Sequence, residues 1–86
     1  MRLEGRQIID GRAAWAMTAQ DACGPGAGFA ERLESCLLAL CKSADLPAPI
    51  WLAKNTRELA RIGKTSFGAD QFAEPVGFDS FEIRLH

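Results

Sequence analysis

Between residues 29 and 44 the apolar side chains recur at a helical interval. Phe29, Leu33, Cys36, Leu37, Leu40, Cys41 and Ala44 step by i, i+4, i+7, i+8, i+11, i+12 and i+15, which winds them into one stripe along an α-helix. Glu31, Arg32, Ser35, Lys42 and Ser43 fall mainly on other sides. A helix with one apolar stripe has to lay it on a partner layer. This one cannot run far past Asp45, because Pro47 and Pro49 forbid its continuation. The spacing therefore predicts a helix over 28–45. The 86 residues make one domain, 1–86, with a small core, so the cover must come from the segments on either side.

Upstream, residues 2–19 read as a β-hairpin around Asp10-Gly11, a strong turn signal. Leu3, Gly5 and Ile9 form the less polar side of its first strand, and Ala13, Trp15 and Met17 the apolar side of its second. A two-residue Asp-Gly loop pairs odd positions with even ones and splits those faces. A three-residue loop, Ile9-Asp10-Gly11, pairs Leu3 with Met17 and Gly5 with Trp15, and is the expected register. ACGPGAG, residues 22–28, is a loop, since a proline between glycines interrupts any regular element.

Downstream, Pro49 suits the first turn of a second helix over 50–63, with Gly63 near its C-terminus. Asn55 followed by Glu58 looks like a capping box and suggests a fresh start or kink there. In a continuous helix Trp51, Leu52, Leu59 and Ile62 share one face. TSFGADQFAEP is loop-like, with Phe67 and Phe72 as anchors into the core. The end, 76–86, reads as a strand whose alternation slips phase near 79–80, where a bulge or break is expected. The fold class is α+β in the order ββααβ. It implies a three-stranded antiparallel sheet with both helices packed on one face.

Composition removes several classes. The chain is 48% hydrophobic and 24% charged, with a formal net charge of −1, so it is globular in character and no global field draws it to nucleic acid or anionic lipid. The longest apolar run, CLLALC at 36–41, is far too short for a membrane span, and the N-terminus lacks a signal-peptide core. The expected location is the cytoplasm. Three cysteines are an odd number; Cys36 and Cys41 sit in the helical stripe and read as reduced, buried thiols.

Chemistry-bearing patterns are sparse. Cys23 lies in a loop ahead of a helix N-terminus, where a thiolate is favoured, but the one histidine is His86. Cys36 and Cys41 turn about 140° apart on a helix, and no CxxC, HxxxH or HExxH occurs. GPGAG lacks the Lys-Ser/Thr ending of a Walker motif and the spacing of a dinucleotide loop. Glu31 and Glu34 have no opposing carboxylate cluster to act with. No catalytic, cofactor or metal residue is assigned, and the reading leans away from an enzyme.

What remains is LAKNTRELARIGKTSF, 52–67. Lys54, Arg57, Arg61 and Lys64 fall within roughly 80° of arc on the side of a helix away from its apolar residues, and Thr65 and Ser66 follow at once. These six residues are the candidate interaction surface. Three accounts apply: a solvated face or one paired with the acidic residues Asp70, Glu74, Asp79 and Glu82, a protein interface, or a phosphate-contacting edge. A protein partner or self-association is favoured over nucleic acid, since the balance is acidic and no pattern of exposed aromatics for stacking bases is visible. The clean alternation of FEIRLH also suggests a homodimer formed through that edge strand. Trp15 and Trp51 are expected in the core; exposure of either makes an interaction surface the leading idea.

LCK at 40–42, PAPIWLAKNTRELARIGKTSF at 47–67 and FDSFEIRL at 78–85 resemble a pattern of small bacterial proteins with no assigned function. In that family P-x-P-x-W-L-x-K-N-T is followed by K-T-S-F and a terminal F-E-I-R-L strand. The resemblance implies no catalytic residues and marks 51–67 as the distinctive segment. The expected function is a small non-catalytic binding or protein-interaction module. The alternative is a nucleic-acid-binding accessory protein using the basic face of the second helix.

Overall fold

The computed structural model describes residues 1–86. It contains strands β1 (Arg2–Ile9) and β2 (Arg12–Gln20), helices α1 (Phe29–Ser43) and α2 (Ala53–Ile62), strand β3 (Lys64–Gly68) and strand β4 (Ser80–Leu85). A single 3-10 turn, Ala69–Gln71, follows β3. The four strands form one antiparallel sheet in the order β2-β1-β4-β3. The expected α+β class with two helices holds, but the sheet has four strands rather than three. The extra strand is KTSFG, read from sequence as helix end and loop. Gly63 has φ +71° and ends α2 with its amide bonded to Leu59 O, and the chain then runs straight back along β4. Five residues, with only Thr65 and Phe67 facing in, are too few for alternation to stand out in the sequence.

The hairpin differs from the expected register. Asp10 (φ +51°) and Gly11 (φ +76°) alone make the turn, both left-handed, as a two-residue turn with the twist of the flanking strands requires. Ile9 pairs with Arg12 and Ile8 with Ala13; then the register shifts, and Gln7 pairs with Trp15. Ala14 is the surplus residue, a bulge that restores odd-to-odd pairing. Gly5 consequently opposes Met17, not Trp15, and Leu3 opposes Ala19, not Met17. The ring over Gly5 is that of Phe81, with Trp15 beside it at a centroid distance of 6.0 Å.

One sheet face carries the core. Leu3, Phe81, Ile83 and Phe67 are fully buried against Cys36, Leu37, Leu40 and Cys41 of α1. Phe72 and Phe78 close the open end, packing edge-on to one another at 5.3 Å. Phe67 and Phe72 are thus core anchors as expected, though Phe67 sits in a strand. The last strand begins at Ser80, at the expected phase break, and 76–79 precede it as irregular chain with Val76 and Phe78 packed inward. α1 lies over β1 and β2 and α2 over β3, both on this face. The other face presents charge in a cross-strand checkerboard: Glu4 faces Arg84, and Arg6 faces Glu82. No helix is long and apolar enough to cross a membrane.

Candidate interaction surface

Helix α2 starts at Ala53, later than the proline suggested, because the chain at 49–52 is tied to the 3-10 turn instead. Ile50 N donates to Gln71 O at 2.6 Å, and Gln71 Nε2 donates to Ile50 O at 2.9 Å. Leu52 is the N-cap. Asn55 is therefore the third helical residue rather than a cap, and its Oδ1 accepts the Leu52 amide at 2.9 Å. The rest of Asn55 faces inward and is fully buried. Its Nδ2 donates to Thr65 Oγ1 (2.8 Å) and to Ser66 O (3.0 Å), and its Oδ1 also accepts from Gln71 Nε2 (3.2 Å). Thr65 Oγ1 in turn donates to Glu58 Oε1 at 2.6 Å. Each member is satisfied, so this buried polar network holds α2, β3 and the 3-10 turn in one arrangement.

That network divides the six candidate residues. Lys54, Arg57 and Arg61 are exposed on α2 and have no carboxylate within 4.0 Å. Of the accounts left open for them, pairing with the acidic segment within the chain is not seen: Asp79 Oδ2 accepts the Asp10 amide, and Glu82 lies beside Arg84. Lys64 lies past Gly63, off the helix and on β3. Thr65 is buried with its hydroxyl committed, so it leaves the candidate surface. Ser66 points with Lys64 into a shallow hollow of about 120 Å³ that Glu58 and Glu82 also line. An anion there meets two carboxylates, which disfavours phosphate.

A larger feature lies between the helices. A groove of about 770 Å³ runs between α1 and α2, floored by Leu37 and Leu59 and walled by Phe29, Leu33, Leu38 and Trp51. Phe29 is 57% exposed, Leu38 47% and Trp51 36%. The Trp51 ring leans on Phe67 at 5.6 Å, and its Nε1 donates to Thr56 Oγ1 at 2.8 Å. Trp51 therefore stands half out of the core on which it was expected to close. Ile62, also expected on the inner face, is 65% exposed. The sequence signal for the groove was the width of the α1 stripe. From Phe29 through Leu37 to Leu38 the apolar arc spans about 180°, more than one sheet can cover.

The loop, thiol and histidine candidates make contacts within the fold. The Gly-Pro-Gly loop is pinned by Arg32, which donates to Ala27 O, Gly24 O and Asp21 Oδ1. Cys23 Sγ donates to Glu31 O at 3.6 Å, while His86 lies against Glu4. Cys36 and Cys41 are buried, and desolvation pushes the Cys41 thiol up to about 11. No three His, Cys, Asp or Glu side chains converge as a metal site needs. Comparison with known protein families, with curated proteins and with solved structures found no match to this chain.

Proposed function

We propose that this protein is a non-catalytic interaction module of the cytoplasm whose docking site is the groove between α1 and α2. The occupant is an amphipathic helix with an acidic flank, a common mode of peptide recognition. The observation that carries the reading is the pairing of apolar walls with unpartnered basic side chains. Phe29, Leu38 and Trp51 line the groove in a chain with no layer left to cover them. Arg57 lies about 60° around α2 from the groove residue Ala60, with Lys54 and Arg61 beyond it, so the α2 rim is positive. The ten residues of α2 span about 15 Å, enough for roughly three turns of a docked helix.

The test uses Trp51 as reporter in a Trp15→Phe background. Two synthetic helical peptides share one leucine stripe and differ in carrying glutamate or lysine on the flank. The expected result is a saturable shift of Trp51 emission with the glutamate peptide only, abolished by Leu38→Glu. Silence from both peptides discards the groove as a docking site.

A second reading, nucleic acid on the outer side of α2, draws on the same unpaired Lys54, Arg57 and Arg61. Counterion release makes such binding fall steeply with salt. Titration with mixed-sequence DNA and RNA at low and physiological salt, with Arg57→Glu/Arg61→Glu alongside, separates the two. Salt-sensitive binding lost in that variant replaces the peptide reading with this one.

A further inference from the structure

The two edges of the sheet are not equivalent. On β3, Leu85 N donates to Gly63 O at 2.8 Å, so the odd residues of β3 bond to β4 and Lys64, Ser66 and Gly68 turn their backbone outward. That outer edge is already occupied: Ser66 O accepts Asn55 Nδ2 at 3.0 Å, and Gly68 N donates to Gln71 Oε1 at 3.0 Å. Two buried amide side chains do there what another strand would do. β4, expected to self-associate, has β1 on one side and β3 on the other.

The β2 edge has no such closure. Asp21 N donates to Met1 O, which sets the odd residues Trp15, Met17 and Ala19 toward β1. The amides and carbonyls of Ala16, Thr18 and Gln20 point away from the sheet, where β2 has no neighbour. Residues 13–20, AAWAMTAQ, contain no charge and no proline, the usual protections of an edge. The Ala14 bulge interrupts only the end near the turn.

We propose that β2 pairs antiparallel with β2 of a second copy, joining two four-stranded sheets across a two-fold axis at Met17. The strand is self-complementary in that register. On the helix-covered face Met17 meets Met17 of the other copy, and Trp15 falls opposite Ala19, large against small, at both ends. Met17 is 42% exposed on the face that otherwise holds the core, and pairing covers it. On the far face Ala16 meets Thr18. The end carrying Arg12 approaches the end carrying Asp21, whereas a parallel pairing sets Arg12 beside Arg12. This interface is isologous and closed, so it stops at two copies.

Sedimentation velocity from micromolar to millimolar protein tests it, with Thr18→Pro as the variant. The Thr18 amide points outward and serves no bond within the chain, so proline is tolerated there by the fold but not by the pairing. The expected result is a species of twice the 9.3 kDa chain mass that Thr18→Pro returns to monomer with its circular dichroism intact. Hydrogen exchange of the unaltered protein gives the second readout. Amides of Ala16 and Thr18, which face one another across the two-fold axis, exchange slowly in the dimer if the proposal holds, and this decides the matter should the variant unfold. A monomer at every concentration overturns the proposal. So does a dimer whose Ala16 and Thr18 amides exchange freely, or one broken by Leu38→Glu and untouched by Thr18→Pro.

Discussion

Gly5 and Asn55 show how single residues set this fold through what they leave out or reach. A Cβ on Gly5 falls 2.9 Å from Phe81 Cζ and 3.1 Å from Leu40 Cδ1, both inside the packed core. The absence of a side chain is what lets the Phe81 ring lie on β1. Gly5→Ala therefore forces the ring or the helix outward, and overpacking of this kind costs about 1–3 kcal/mol. A lower urea midpoint at an unchanged slope is the expected outcome; an unchanged midpoint contradicts the packing. Asn55 works by reach, bonding Leu52, Thr65, Ser66 and Gln71 at once. In the sequence it looked like a helix cap, because a cap and a buried hub are the same residue type at the same kind of position. Only its neighbours in space distinguish them.

At the scale of elements, β4 is the one on which the sheet depends. It lies between β1 and β3, and its Phe81 side chain touches Trp15, Phe72 and Phe78. Phe81→Asp removes this contact and buries a charge without a partner. Losing the ring alone costs about 3–5 kcal/mol, comparable with the whole stability of a small domain, roughly 5 kcal/mol or more. The expected outcome is an unfolded chain, seen as collapse of amide proton dispersion. A folded variant removes Phe81 from the core assignment. The strands whose nature was readable, β1, β2 and β4, each run six residues or more. β3 was not readable because five residues beside a helix C-terminus carry little periodic signal, and its identity rests on β4 being there to pair with.

Over the whole molecule, Asp21 ties the ends of the hairpin layer to the helix layer. It accepts from the Met1 ammonium at 2.8 Å, from Arg32 Nη1 at 2.9 Å and from the Cys23 amide at 3.2 Å. The Met1 ammonium foremost, then the Cys23 amide and Arg32, hold its carboxyl below the ordinary value, with burial opposing them. A carboxyl lowered on folding stabilises the fold above its unfolded pKa, about 3.9, and that contribution is lost as pH falls through the lowered folded value. Urea midpoints measured from neutral pH down to about pH 2 are expected to decline less steeply in Asp21→Asn than in the parent. Parallel declines remove Asp21 from the acid transition.

Local pattern determined a good deal by itself. The stripe from Phe29 to Ala44 made α1, the prolines at 47 and 49 separated it from α2, Asp10-Gly11 made the turn, and Gly63 ended α2. These are consequences of backbone sterics and of period, both of which act within a few residues. Tertiary structure decided the rest: the Ala14 bulge that selects the register, the pairing of β3, the burial of Thr65 away from Ser66, and the exposure of Trp51. Each of these depends on which distant surface arrives to bury or pair a group. Several arrangements satisfy the same local pattern, and only packing of the whole chain separates them.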